Sequence, residues 1–203
     1  MNATVPGAVS AARWKRTLPN ALTIARLGLA AVFFVILSID HVVDRPVWLV
    51  TAAVVFVVAA TTDALDGYLA RRWHVVSRFG RIADPFADKV LVLGAFVMLA
   101  GSSFSGPHTH APQVEAWMAV VILGRELLVT SLRAMAEGAG VDFSALSAGK
   151  IKMIVQSLAV PAILLVYAFS EHHVWVSYIA WATTIITVLS AWPYIAKAAR
   201  MPR

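Results

Sequence analysis

Six apolar segments dominate the chain, and each has about the twenty residues that a helix needs to cross a bilayer. Short polar connections separate the segments, which run over residues 20–39, 47–70, 83–101, 115–136, 147–169 and 174–196. Hydrophobic residues make up 60% of the chain and charged residues only 14%, whereas soluble domains carry about 25% charged residues. The sequence therefore predicts an all-α integral membrane protein with six transmembrane helices.

The six segments form one predicted domain, residues 20–197, between two short flanking segments. Residues 1–19 combine Trp14 with the basic residues Arg13, Lys15 and Arg16, as in short helices that lie on a membrane surface. Residues 198–203 form a basic tail. The chain contains no cysteine, which excludes disulfide bonds and thiol chemistry.

Lysine and arginine residues are concentrated in alternate connections. They occur in the N-terminal segment, in residues 71–81, around residues 133–152 and in the tail, whereas the other connections hold only Arg45. The positive-inside rule therefore places both termini and residues 71–81 on the cytoplasmic side of the cell membrane. Because membrane topology explains where the basic residues lie, the net charge of +6 does not indicate nucleic-acid binding.

Four aspartates lie where the second apolar segment ends and the third begins. Asp63 and Asp66 are three residues apart, and Asp84 and Asp88 are four apart, so each pair shares one face of a helix. Carboxylates beside apolar segments are costly without a partner. Because oxygen ligands select hard cations such as Mg²⁺ or Mn²⁺, the sequence predicts a divalent-cation site between two helices.

The residues between the aspartates suit a bound phosphate group. Gly67, Ala70 and Arg71 share the face of the first acidic pair, and Gly80 lies one helical turn before Asp84. Small residues let a ligand approach the backbone closely. A guanidinium group binds phosphate oxygens in fixed geometry. Together with the aspartates, these residues predict a metal–pyrophosphate site.

The acidic stretch resembles the CDP-alcohol phosphotransferase family, whose pattern is D-x2-D-G-x2-A-R-x8-G-x3-D-x3-D. The sequence matches all eight fixed positions of this pattern. The resemblance implies a homodimer of six-helix subunits and two divalent ions, bound by Asp63, Asp66, Asp84 and Asp88. It also implies that Asp88 acts as a general base. The residues that the resemblance assigns to the CDP-diacylglycerol site are Asn20, Thr23, Gly67, Ala70, Arg71, Ser77 and Gly80. An N-cap after Pro19 is the alternative role for Asn20.

A second group of charged residues lies on the fourth and fifth segments. Arg125 and Glu126 lie inside the fourth segment, Arg133 follows about two turns later, and Lys150 and Lys152 open the fifth. Ionisable residues within membrane segments are candidates for a functional site. The arginines and lysines predict an anion pocket beside the metal site. The alternative is a buried Arg125–Glu126 pair that only packs helices, with lysines that extend to the membrane surface.

The R-E-x6-R segment followed by G-K-x-K resembles the phosphatidylglycerophosphate synthase branch of the family. This resemblance implies transfer of the phosphatidyl group of CDP-diacylglycerol to sn-glycerol 3-phosphate, in phospholipid biosynthesis. The residues that would then hold the acceptor phosphate are Arg125, Arg133, Lys150 and Lys152. Cardiolipin synthase and phosphatidylinositol phosphate synthase are alternatives within the family. A cation transporter is an alternative of another class, but it does not explain Gly67, Ala70, Arg71 and Gly80.

Overall fold

The structure, a computed structural model, describes residues 6–73, 78–104, 114–141, 147–170 and 174–200; of residues 6–20, 63–73 and 78–85 it describes only the backbone. The described chain forms helices α1 (Pro6–Leu37), α2 (Pro46–Trp73), α3 (Arg78–Leu99), α4 (Ala116–Gly138), α5 (Ser147–Phe169), α6 (Val174–Leu189) and α7 (Trp192–Ala198). Short 3₁₀ turns lie at Val42–Asp44 and Ser102–Phe104. Within these residues the all-α prediction is confirmed.

The first helix differs from the sequence expectation. Helix α1 begins at Pro6 and continues without a break through Pro19 to Leu37. Asn20 therefore lies inside the helix, and the N-cap interpretation of this residue is wrong. An interior proline lacks one backbone donor and crowds the carbonyl four residues earlier, at a cost of about 3 kcal/mol, but its fixed φ is helical, so the helix can continue across it.

The sixth apolar segment also differs, because it forms two helices instead of one. Helix α6 ends at Leu189 and α7 begins at Trp192. Pro193 lies in the first turn of α7, where its missing N–H costs no hydrogen bond. The Ala191 carbonyl accepts from the amides of Tyr194 and Ile195 at 3.0 and 3.1 Å. The break at residues 190 and 191 faces the site described below.

The helices pack around one large apolar core. Helix α1 packs along α2 and α3, and α5 packs against α2 and α6. Fully buried rings fill the centre, with Phe33 and Phe56 at a centroid distance of 5.5 Å. A second, smaller cluster joins α4 to the α6–α7 break and contains Val129, Ala136, Ala191 and Tyr194. Two of these residues, Val129 and Tyr194, line the charged cavity described below.

The outer surface of the helices is apolar. Among the described side chains, 31 large hydrophobic residues are exposed, and they come from all seven helices. Two stretches, Ser147–Phe169 and Val174–Ala198, are long and apolar enough to cross a membrane, with mean hydropathies of 1.9 and 1.6. Ala21–Leu37 and Pro46–Thr62 are shorter apolar helical stretches. The described residues thus support a membrane protein, and the count of six spans stays a prediction.

Candidate active site

The acidic motif lies on two helices, as its spacing predicts. Asp63 and Asp66 lie near the C-terminal end of α2, together with Gly67, Ala70 and Arg71. Helix α3 carries the other part of the motif in its first three turns: Gly80, Asp84 and Asp88. Because both stretches are helical, each acidic pair lies on one helix face. Of the motif's side chains, only that of Asp88 belongs to the described residues.

The other residues assigned to the donor site lie partly outside the described structure. Ser77 falls outside it altogether, and for Asn20 only the helical backbone of α1 is described. Thr23, one turn further along α1, is buried. Their proposed contacts with CDP-diacylglycerol therefore stay predictions.

The donor atoms of the motif fit a hard divalent cation. The side chain of Asp88 is half-buried and lines a cavity at the N-terminal part of α3. No group of three or more metal-binding side chains occurs among the described residues, a set that excludes the side chains of the other three aspartates. Four carboxylates in two helical pairs supply only oxygen ligands, which is the donor set that Mg²⁺ and Mn²⁺ prefer.

The cavity beside Asp88 has a volume of about 440 Å³ and lies between α3, α4, α5 and α7. Its charged lining consists of five basic and three acidic side chains, a net charge of +2. These residues are Lys89, Arg125, Arg133, Lys150 and Lys152, with Asp88, Glu126 and Glu137. The four basic residues that the sequence assigned to an anion pocket therefore line one cavity together with Asp88.

Glu126 is the central carboxylate of this cavity. Its Oε1 atom accepts hydrogen bonds from Arg125 Nη1 at 2.9 Å and from Lys152 Nζ at 2.6 Å. All three side chains are buried. The Arg125–Glu126 pair considered as a packing contact therefore exists, and it includes Lys152. Part of the positive charge of the cavity is offset by this carboxylate.

Arg133 and Lys150 differ from the other two cations. In the described part of the chain, neither forms an ion pair with a carboxylate. The Nε atoms of Arg125 and Arg133 are buried without a hydrogen-bond partner among the described residues. Since a buried donor that lacks an acceptor is costly, an anion that accepted from these atoms would be stabilised. Arg133 and Lys150 are thus the two of these four cations whose charge is not offset by an ion pair with a described carboxylate.

Lys89 and Tyr194 also line the cavity, and neither was predicted from the sequence as a site residue. Lys89, which directly follows Asp88, donates from Nζ to Thr130 Oγ1 at 2.7 Å and so connects α3 to α4. Tyr194 lies against both arginines of α4. The position of Lys89 directly after Asp88 could have indicated its place in the site. For Tyr194 the sequence offers only a weak indication, its position after Pro193.

The CDP-alcohol phosphatidyltransferase family model matches residues 16–188 of the chain, which include the whole acidic motif and the four basic residues. The chain belongs to this family. The family resemblance drawn from the motif is thus confirmed. The matched range ends before α7, so Tyr194 lies beyond it.

Curated relatives from several bacteria share one name, CDP-diacylglycerol–glycerol-3-phosphate 3-phosphatidyltransferase. The relative from Bacillus subtilis (strain 168) is 36% identical over 196 residues, covering 89% of this chain and 94% of the relative. A relative from Shigella flexneri is 36% identical over 178 residues, covering 86% and 89%. One from Mycoplasma pneumoniae is 31% identical over 171 residues, covering 77% and 71%. The chain is similar to these enzymes over most of its length.

Proposed function

We propose that the protein transfers the phosphatidyl group of CDP-diacylglycerol to sn-glycerol 3-phosphate, giving phosphatidylglycerophosphate and CMP in phospholipid biosynthesis. The observation that carries the proposal is the shared cavity, which Asp88 of the acidic motif lines together with Arg133 and Lys150. The names of the relatives support the same donor and acceptor. The protein is accordingly an enzyme of the phosphotransferase class.

The reaction uses Asp88 as the general base. Asp88 takes the proton from the acceptor hydroxyl, and the acceptor oxygen bonds to the phosphorus that carries diacylglycerol. The bond from this phosphorus to the bridging oxygen breaks, and CMP leaves with that oxygen. Two divalent ions, Mg²⁺ or Mn²⁺, would be held by Asp63, Asp66, Asp84 and Asp88 and would supply neutralisation of the pyrophosphate charge.

The donor nucleotide is held by the helix faces of the motif that carry small residues, and by residues at the start of the first apolar segment. This assignment rests on the family pattern. Gly67, Ala70 and Gly80 leave space for the CDP group, and Arg71 binds a phosphate oxygen. The further proposed contacts with CDP-diacylglycerol come from Asn20, Thr23 and Ser77.

The charge of the cavity supports a small phosphate monoester as the acceptor. A net lining charge of +2 matches the dianion of glycerol 3-phosphate. Phosphatidylglycerol, the acceptor of a cardiolipin synthase, carries a single negative charge and has no phosphate monoester. Inositol phosphate has the same charge as glycerol 3-phosphate, so the names of the relatives favour glycerol 3-phosphate over it.

We propose six membrane spans with both termini and the cavity on the cytoplasmic side. The exposed apolar side chains on all seven helices and the distribution of Lys and Arg support this topology. A membrane-impermeant thiol reagent should label Thr109→Cys but not Asp142→Cys in intact cells, and the opposite pattern would contradict the orientation.

The homodimer rests on the family resemblance, and light scattering of the detergent-solubilised protein tests it.

Arg133→Ala tests the acceptor site. The KM for glycerol 3-phosphate should rise about 10- to 100-fold, since a charge-assisted contact to phosphate is worth about 1.5–3 kcal/mol. The KM for CDP-diacylglycerol should change far less. Arg45→Ala, which removes an arginine from the connection between α1 and α2, is the matched control. An unchanged acceptor KM in both Arg133→Ala and Lys150→Ala would contradict the assignment.

A further inference from the structure

Tyr194 occupies an unusual position in the cavity. Its side chain is 1% exposed, and its ring lies against two guanidinium groups, with the Cζ atoms of Arg125 and Arg133 at 5.7 and 5.4 Å from the ring centroid. Its hydroxyl oxygen accepts from Arg133 Nη2 at 3.3 Å. The two distances from Cζ to the ring centroid lie within the range of cation–π attraction, which strengthens when the groups are shielded from water.

The break between α6 and α7 places Tyr194 there. In a continuous helix the Ser190 carbonyl would accept from the amide of residue 194, but that amide bonds to Ala191 instead. The Ser190 carbonyl accepts from Arg125 Nη2 at 3.3 Å. The break therefore supplies both an aromatic ring and a backbone acceptor to the same arginine.

Gly149 lets the tyrosine hydroxyl fit against α5. A Cβ atom at this position would lie 2.5 Å from Tyr194 Oη, closer than real Cβ atoms approach, but 3.5 Å from Tyr194 Cζ, an ordinary contact. Gly149 directly precedes Lys150. The phenol of Tyr194 is thus in contact with α4 and α5, the two helices that carry the basic residues.

We propose that Tyr194 is a positioning residue that holds the Arg125 and Arg133 guanidinium groups in the orientation that binds the acceptor phosphate. We propose further that Gly149 makes room for the Tyr194 hydroxyl. The inference rests on the proposed function. Long arginine side chains lose rotamer freedom when they bind a ligand, and a ring that orders them in advance reduces this loss. Tyr194 acts through the arginines and need not touch the substrate.

Two substitutions separate the contributions of the ring and the hydroxyl. Tyr194→Leu removes the ring and should raise the KM for glycerol 3-phosphate about tenfold, because two cation–π contacts are lost. Tyr194→Phe keeps the ring and loses the hydroxyl that accepts from Arg133 Nη2, so the rise should be about threefold. In both variants the KM for CDP-diacylglycerol should change little. A similar rise in both KM values would indicate general damage and would overturn the inference.

A double-mutant cycle with Gly149→Ala tests the hydroxyl directly. In the wild-type background Gly149→Ala should raise the acceptor KM, since the new methyl group displaces the Tyr194 hydroxyl. In the Tyr194→Phe background the same change should add little, because the nearest remaining ring atom is 3.5 Å away. This test does not depend on whether Tyr194→Leu folds. Independent, multiplicative effects of the two substitutions on the acceptor KM would contradict the proposal.

Calorimetric binding of inorganic phosphate separates this inference from the proposed function. Arg125 and Arg133 should bind inorganic phosphate whatever the identity of the natural acceptor. A weaker phosphate affinity in Tyr194→Phe and Tyr194→Leu than in the wild type supports the inference even if the enzyme uses a different phosphorylated acceptor. If the affinity is unchanged in both variants, Tyr194 does not position the arginines, whatever the acceptor is.

Discussion

Replacing Asp88 with asparagine should lower the rate of CMP release from CDP-diacylglycerol by at least about 10²–10⁴-fold, the usual contribution of a general base. Asparagine has nearly the same shape as aspartate but cannot accept the proton of the acceptor hydroxyl. Loss of a carboxylate ligand to the divalent ions adds to the effect. The rate is measured with the purified variant at saturating concentrations of both substrates.

The position of Asp88 makes this test specific. Its half-buried side chain, on α3, lines the same cavity as the basic residues of α4 and α5. Nucleotide binding should survive, because most of the proposed contacts with CDP come from other residues. Asp44→Asn, in the connection between α1 and α2, removes a distant exposed carboxylate and serves as the control. Near-normal turnover of Asp88→Asn would end its assignment as the base.

Glu126→Gln should lower the free energy of unfolding by about 3–5 kcal/mol, the usual cost of removing one partner from a buried ion pair. Oε1 of Glu126 accepts from two buried cations, Arg125 and Lys152. Without the carboxylate, both cations stay in the interior with no opposite charge from Glu126. Denaturant unfolding of the detergent-solubilised protein measures the loss.

A double variant provides the internal control for Glu126. Adding Lys152→Met to Glu126→Gln replaces one of the two cations with an apolar side chain of similar length. Part of the lost stability should return, because only one buried cation, instead of two, is then left without the Glu126 carboxylate. A double variant that is less stable than Glu126→Gln alone would show that the lysine does not depend on the carboxylate.

The acidic motif could be placed from the sequence because the helical repeat alone fixes which residues share a face. Each acidic pair shares a helix face as soon as its stretch is helical. The structure describes helices over both stretches, α2 for Asp63 and Asp66 and α3 for Asp84 and Asp88. The four basic residues of α4 and α5 line one cavity, as expected if a short connection brings the ends of these helices together, and their role in binding the acceptor stays a prediction. Helix α5 agrees with the predicted segment at both ends.

The partners of the charged side chains could not be predicted in the same way. Lys152 was assigned to the acceptor phosphate, and in the structure its nearest anion is Glu126, which lies 26 residues earlier in the chain. Tyr194 contacts Arg133 across 61 residues, from a helix that begins just after the break at residues 190 and 191. Contacts of this kind depend on how helices pack, which the periodicity of a single segment does not encode.

The acceptor specificity of the purified protein tests the central proposal most directly. The wild-type protein is incubated with CDP-diacylglycerol and a divalent ion, with glycerol 3-phosphate, inositol phosphate or phosphatidylglycerol in turn, and CMP and the lipid product are quantified. We predict CMP release that depends on glycerol 3-phosphate, together with an equal amount of phosphatidylglycerophosphate. Preferential use of phosphatidylglycerol or inositol phosphate, or no CMP release with any acceptor, would contradict the proposed function.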